Sequence, residues 1–306
     1  MYDLIIIGGG PGGVAAGVYA ARKKIKTLLI TDSFGGQSLV SSDIQNWIGT
    51  RSISGFDLAK SLEGHLRAQE GIEIAEGELA VSVRKKNDGT FTVATNGGKT
   101  FETKYILITS GSRRKRLGVP GEDAFDGKGV VFCTTCDAPL FGGKTVAVVG
   151  GGNSALEGVL DVLSYASKVY LLVRSEVLRG DPVSQEKVRS HPNVEVLWNT
   201  VVLEVKGDRF VNGIRYKNTK TGEEKEMPLE GVFVEIGLLP NSDFVKGLVD
   251  LNEFGHIVVD HKTQQTSCPG IWAAGDVSDV LYDQNNISVG DAIKALLNIY
   301  DQIRKS

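Results

Sequence analysis

Two glycine-rich turns, each set between a short apolar strand and a helix of small residues, constrain this chain more than any other feature. The first follows Tyr2 to Ile7 as Gly8-Gly9-Gly10-Pro11-Gly12-Gly13 and leads into a helix from Val14 to Ala21. A strand from Thr27 to Ile30 comes next and ends at Thr31-Asp32. The second turn, Gly150-Gly151-Gly152, follows a strand from Lys144 to Val149 and opens a helix from Asn153 to Ser164; Val169 to Val173 is the next strand. Strand, glycine turn, helix, strand is the βαβ opening of a dinucleotide-binding fold, and its recurrence predicts two such folds. The length of 306 residues suits two domains.

The fold class expected is therefore α/β, with two Rossmann-like domains. Breaker residues at Gly118-Val119-Pro120-Gly121-Glu122-Asp123 and at Gly237 to Asn241 mark the joins. They give a first domain made of residues 1–117 and 243–306, with a second, 118–242, inserted in it. Between the joins and around them the pattern is plain. Residues 72–96 alternate as strands about Asn87-Asp88-Gly89, a type I′-like turn signal; residues 194–236 read as further strands. The last helix starts near Val289 and carries Ile293, Leu296, Leu297, Tyr300 and Ile303 at helical spacing.

Composition narrows the function. Hydrophobic residues at 41% permit a sizeable core, and 34 basic against 37 acidic residues leave no field that would gather nucleic acid or an anionic membrane. The apolar run Leu4 to Ile7 is too short to span a bilayer and lacks a basic flank, so neither a membrane anchor nor a signal peptide is expected, and the cytosol is the expected compartment. The basic run Arg113-Arg114-Lys115-Arg116 reads as a solvated linker face or as a docking patch for an acidic partner. Glycine, at 38 residues, exceeds its usual share of about 7% and collects where backbone can approach a ligand.

Each glycine of the first turn has its own task. Gly8 makes the tight turn, Gly10 admits a pyrophosphate, and Gly13 lets helix and strand pack closely, with the helix N-terminus facing the phosphates. Asp32, with Thr31 as neighbouring candidate, stands where a ribose hydroxyl would be held. In the second turn Ala155 replaces the third glycine. After the following strand come Arg174 and Ser175, with Arg179 beyond, and no acid directly at the strand end, which favours NADPH over NADH.

Cys133-Thr134-Thr135-Cys136 spaces two sulfurs for a reversible disulfide. Half a zinc site and a pair of inert buried thiols are the other readings, although only Cys268 and four histidines remain to complete a metal set, and no metal is expected. Asp137 either exchanges a proton with a thiolate or caps a helix. Cys268 reads as a structural thiol. Two nucleotide folds and a dithiol describe a relay of electron pairs from a nicotinamide, for which a flavin is the usual mediator.

At this point the chain resembles the low-molecular-weight thioredoxin reductase family, and also the C-terminal flavoprotein portion of the alkyl hydroperoxide reductase flavin subunit. The stretches that match are GGGPGG at 8–13, GGQ at 35–37, IQNWIG at 44–49, TSG at 109–111, CTTCDAPLFGGKTVAVVGGGNSALE at 133–157, EIGLLPN at 235–241 and GIWAAGD at 270–276. The resemblance implies FAD on the first domain, with its pyrophosphate at Gly8, Gly10 and Gly13, and with Pro11, Gly36, Gln37, Asn46, Gly111 and Gly275 lining it. Asp276 would hold the ribityl chain and Gln284 would sit near the isoalloxazine. Cys136 would be the flavin-proximal thiol, Cys133 the one that attacks a partner disulfide, and Asp137 the proton donor. NADPH or NADH would occupy Gly150, Gly152, Asn153 and Ser154, with Arg174 and Arg179 beside it.

The partner implied is thioredoxin or a glutaredoxin-like protein, then a peroxiredoxin system, then ferredoxin as an electron source, with a homodimer as the usual assembly. Rotation of one domain against the other is a family expectation. The hydroperoxide-type relative carries additional N-terminal thioredoxin-like domains; this chain opens at the glycine motif, so its dithiol is expected to serve a separate protein. Val173-Arg174-Ser175 stands where NADPH-using members commonly have His-Arg-Arg and where NADH-using relatives have Glu in place of Val173. Asp283-Gln284-Asn285-Asn286 keeps only the glutamine of the usual Arg-Gln-Ala. An NAD(P)H oxidase would leave the thiols idle, and a nucleotide-sensing scaffold would lack turnover.

Overall fold

The computed structural model describes residues 1–41 and 44–305, with the side chains of Val40, Thr135 and Cys136 outside that description. It divides into two compact units, Met1–Arg113 with Leu239–Ser306, and Arg114–Leu238. The chain passes between them within two short strands that pair with each other, Ser112–Arg114 and Leu238–Pro240. The breaker cluster at Gly118 to Asp123 is no linker. Buried Glu122 accepts hydrogen bonds from the Leu117 and Gly118 N–H groups, both at 2.8 Å, and the Val205 N–H bonds to the Pro120 carbonyl. Those bonds fold the cluster into the second unit, a few residues past the crossing.

The first unit is built on a sheet whose central strands are parallel, in the order Ile271–Ala273, Thr100–Ile108, Tyr2–Gly9, Thr27–Phe34 and Ile72–Glu76. Because side chains alternate along a strand, the run Leu4 to Ile7 feeds both faces. Leu4 and Ile6 pack with Val14, Val18, Leu296 and Ile299 under the helices Pro11–Arg22 and Asn285–Ile303. Ile5 and Ile7 pack on the opposite face with Val83, Phe91 and Ile106. The hairpin Ala80–Lys85 with Phe91–Thr95 adds to the Thr100–Ile108 strand. Its turn is a three-residue loop in which only Gly89 has positive φ and the Gly89 N–H reaches the Lys86 carbonyl, rather than the two-residue type I′ turn expected.

Two further differences bear on the site. The helix Gly55–Arg67, capped by the Ser54 hydroxyl accepting from the Asp57 N–H, was not singled out by the sequence pattern. The last helix begins at Asn285 rather than near Val289, because the polar turn Asn285 to Ser288 breaks the apolar spacing without breaking the helix.

The second unit has its own parallel sheet, ordered Val194–Trp198, Lys168–Val173, Thr145–Val149, Gly231–Val234 and Val130–Val131. Val146 and Val148 pack with Leu156, Val159 and Phe233 beneath the helix Asn153–Val162. Ala147 and Val149 face Val202, Ile214 and Val232, where the antiparallel strands Thr200–Gly207, Val211–Asn218 and Glu224–Pro228 close the other side. Both units are Rossmann-like, and the second is inserted in the first. No helix among the described residues is long and apolar enough to cross a membrane.

In each sheet the strand before the glycine turn has parallel neighbours on both sides, so strand order reverses there and a crevice opens at its carboxyl end. The turns differ in how tightly they are held. At Gly8 φ is +119°, and an added Cβ there would strike the Thr109 carbonyl; one at Gly13 would strike the Gly8 carbonyl oxygen. At Gly10 an added Cβ would meet nothing within 4 Å. Gly13→Ala is therefore expected to cost about 3 kcal/mol of stability from overpacking, and Gly10→Ala less than about 0.5 kcal/mol. Urea denaturation of both variants measures the difference.

Candidate active site

The first glycine turn opens onto a cavity of about 710 Å³ contained within the first unit. Gly8, Gly10, Pro11, Asp32, Gly36, Gln37, Gly111, Gly275 and Asp276 line it. Thr31 is buried and donates its hydroxyl to the Ser33 carbonyl at 2.6 Å, whereas Asp32 beside it is exposed at the rim. Gln37 donates through Nε2 to the Ser112 carbonyl at 3.0 Å, which fixes its amide at the wall. Gly275 has φ of +75°, and an added Cβ would lie 2.8 Å from the Ser288 hydroxyl oxygen. That close approach brings the start of the last helix to the cavity, where Asn285 and Ser288 also line it. Asp276 lies 3.4 Å from both the Ser112 and Ser288 hydroxyls; burial raises its pKa against those hydrogen bonds.

Not every expected residue reaches this cavity. Gly13 packs helix against strand, as its crowding shows, and does not line the cavity. Asn46 and Gln284 bond each other, Nδ2 to Oε1 at 3.0 Å, in an exposed pair of loops outside the lining. Others line it that the sequence pattern did not mark: Glu78 to Val81, Arg113, Asn241 and Phe244. Arg113 donates to the Pro240 carbonyl and Asn241 Oδ1 and pairs with Asp243 at 3.0 Å. The signal available was the short GSRR and LPN stretches, whose strands bring them together.

The second turn opens onto a separate cavity of about 480 Å³ within the second unit, lined by Gly150, Gly152, Ser154, Arg174 and Arg179, and also by Lys115, Arg116 and Glu235. Gly152 repeats Gly10, with nothing within 4 Å of an added Cβ. Asn153 is not in the lining; its Oδ1 accepts from the Asp181 N–H at 2.7 Å and holds the loop that carries Arg179. Arg174 and Arg179 are exposed and form no ion pair among the described residues. Glu176, the acid between them, is taken by Lys220 at 2.6 Å and does not line the cavity. Both open glycines and both helix starts suit phosphate groups, so each cavity fits a dinucleotide.

Cys133 is disulfide-bonded, whereas Cys268 is a free, buried thiol. The backbone of Cys136 lies in the four-residue helix Thr134–Asp137, and its side chain is outside the described ones. Asp137 makes no side-chain cap bond, so the capping reading fails, and burial raises its pKa against the charge of Arg114. Glu235, missed by the sequence reading, accepts a hydrogen bond from the Thr134 N–H at the start of that helix. Its Oε2 lies 3.3 Å from Arg114 Nη1. Burial pushes its pKa up to about 7, and Arg114 only partly opposes this. Within the arginine run, Arg113, Arg114 and Arg116 have separate acidic partners, Asp243, Glu235 and Asp126.

Two dinucleotide cavities and a disulfide-bonded cysteine define a class, a nucleotide-dependent oxidoreductase that handles disulfides. Residues 2–293 match the pyridine nucleotide-disulphide oxidoreductase family, and the chain belongs to it. It is 42% identical over 305 residues to the F subunit of alkyl hydroperoxide reductase from Pseudomonas putida, covering 99% of this chain and 58% of that protein. It is 41% identical to an NADH dehydrogenase of Bacillus subtilis, with 99% and 58% covered. The chain therefore spans less than two thirds of these curated relatives. The crystal structure of Lactococcus lactis thioredoxin reductase matches with a TM-score of 0.84 at 32% identity, covering 100% of both chains. The protein is a thioredoxin reductase-like flavoprotein oxidoreductase, and its family implies FAD and NAD(P)H as cofactors.

Glu235 gives a linkage that can be measured. Its pKa is 4.5 unfolded and about 7 folded, so the folded state binds the extra proton between those values. The contribution of this group is full at low pH and is lost as pH rises from about 4.5 to about 7, by up to about 3 kcal/mol. Glu235→Gln lacks this loss. Its stability relative to wild type, from denaturation at a series of pH values, is expected to climb across that window.

Proposed function

We propose that the chain uses NADPH to reduce the disulfide of a small thioredoxin-like protein at the Cys133/Cys136 pair. The observation that carries this reading is the disulfide at Cys133, on a unit whose own nucleotide cavity is walled by Glu235, the residue that anchors the dithiol helix. When bound, FAD and the nicotinamide supply transfer of an electron pair. Gly8, Gly10, Pro11, Asp32, Gly36, Gln37, Gly111, Gly275 and Asp276 would hold the flavin nucleotide; Gly150, Gly152, Ser154, Arg174 and Arg179 would hold the nicotinamide nucleotide. Asp137, whose pKa burial raises against the charge of Arg114, would supply a proton to a departing thiolate.

The preference for NADPH rests on Arg174 and Arg179, two guanidinium groups at the rim with no ion pair among the described residues, and on Glu176, neutralised by Lys220. A 2′-phosphate is the ligand such a pair suits. A second reading has a peroxiredoxin system as the partner, favoured by the 42% identity to a protein of alkyl hydroperoxide reductase.

The test is an anaerobic titration of the holoenzyme with NADPH and, separately, NADH, following the oxidised-flavin absorbance. NADPH is expected to bleach it at lower concentration. In the Arg174→Ala/Arg179→Ala variant the KM for NADPH should rise about tenfold to a hundredfold while that for NADH moves little. Equal response to both nucleotides would end the NADPH assignment, and no response to either, with bleaching by dithionite, would turn attention to reduced ferredoxin. Cys133→Ser should still bleach but should not reduce a protein disulfide.

A further inference from the structure

The loop from Arg174 to Arg179 carries an acid among its cations. Arg174, Ser175, Val177 and Arg179 line the second cavity, whereas Glu176 does not. Two bonds shape the loop: the Arg179 N–H donates to the Gly151 carbonyl at 2.7 Å, and the Ser175 hydroxyl donates to the Val177 carbonyl at 2.8 Å. The second bond spans Glu176, whose carboxylate is met by Lys220, with Nζ 2.6 Å from Oε1. Lys220 comes 44 residues later in the chain, and a series of hydrogen bonds brings it there. The Asn199 N–H donates to the Ser175 carbonyl at 3.2 Å, and the Asn199 carbonyl accepts from the Thr219 N–H at 2.7 Å and its hydroxyl at 3.1 Å. Asn199 has φ of +53°, a left-handed conformation that asparagine tolerates better than most residues. Asn218 then folds the turn by accepting the Lys220 and Thr221 N–H groups on Oδ1, both at 3.0 Å. The turn that bears Lys220 is thus fastened to the residue just before Glu176.

The Lys220 and Glu176 side chains are 71% and 62% exposed, and an ion pair in that setting adds little to stability. Its consequence is placement. A carboxylate swung in beside Arg174 and Arg179 would oppose a 2′-phosphate and accept a hydrogen bond from a ribose 2′-hydroxyl, the arrangement of an NAD site. Which nucleotide the loop takes therefore depends on where Glu176 is held. We propose that Lys220 is a positioning residue for nucleotide choice: by pairing with Glu176 it keeps that acid off the cavity rim and leaves Arg174 and Arg179 to a 2′-phosphate. The inference rests on the NADPH reading and assigns the residue that maintains it. Lys220 acts through Glu176 rather than on the nucleotide.

The experiment is equilibrium binding to the oxidised holoenzyme, followed by titration calorimetry. The probes are adenosine 2′,5′-bisphosphate and adenosine 5′-monophosphate, which differ only in the 2′-phosphate. Wild type should bind the bisphosphate more tightly. In Lys220→Met that preference is expected to fall about threefold to fivefold, the range an exposed ion pair supplies, and to fall less at about 0.5 M salt. Affinity for the monophosphate should not weaken. Lys220→Arg, which keeps the charge, should keep the preference. Glu176→Gln should keep or raise it, and Lys220→Met/Glu176→Gln should restore the wild-type value. In turnover, the KM for NADPH should follow the same order while kcat holds.

An unchanged preference in Lys220→Met, with wild type favouring the bisphosphate, overturns the role given to Lys220 and leaves the NADPH reading standing. A loss that persists in the double variant also overturns it, because Lys220 would then act on the phosphate directly. Weakening of both probes alike in Lys220→Met overturns it too, since only the shape of the loop has then changed. Equal binding of the two probes by wild type rejects the NADPH reading and this inference with it.

Discussion

Everything in both units is arranged around one close approach, the point where a central strand ends and a helix begins. In the first unit the backbone at Gly8 and Gly13 is so near that neither position admits a side chain. That approach aims the free N–H groups of the Pro11–Arg22 helix across the carboxyl edge of the sheet. The second unit solves the same problem with Ala155, whose Cβ lies 2.7 Å from where a Cβ on Gly150 would be, so the tightness there falls on Gly150. Gly10 and Gly152 are free of neighbours for the complementary reason. Their missing side chains leave space for a ligand rather than for packing.

The second unit carries an electrostatic constraint next to its disulfide. Its sheet is apolar on both faces, yet one end holds Glu235 beside Arg114 and the dithiol helix. A buried carboxylate in such a place persists only with a cation and a backbone donor, and here it has both. Three of the four consecutive basic residues are thus dealt to different surroundings. Arg113 ties down Asn241 and Asp243, Arg114 turns inward, and Arg116 meets Asp123 and Asp126.

The glycine turns, their flanking strands and the cysteine spacing were legible because they depend on local chemistry that neighbouring residues must obey. What escaped depends on distant residues meeting. Glu235 ends an apolar strand in a stretch that reads as core, and nothing nearby in sequence reveals Arg114 as its partner. Arg113 looked like one of four alike cations because its carbonyl and carboxylate partners lie more than a hundred residues later. Asn153 and Gln284 stood in motif positions, but their amides are spent on neighbouring loops. The Asn285–Ile303 helix hid its first turn because Ser288 faces Asp276 instead of joining an apolar stripe.

The insertion has a consequence for how the chain becomes structured during synthesis. Residues Arg114–Leu238 form one continuous stretch, and all five of their parallel strands are present once Gly231–Val234 has emerged. The first unit must wait longer. Its sheet lacks Ile271–Ala273, and its Gly12 helix surface lacks Ser288 and Ala292, until nearly the whole chain is made. Leu4, Ile6, Val14 and Val18 therefore remain without their last apolar partners, Leu296 and Ile299, after the inserted unit is complete. The nascent protein carries a finished nucleotide fold and an unfinished one, and the half-built apolar face stays uncovered until the last helix is made.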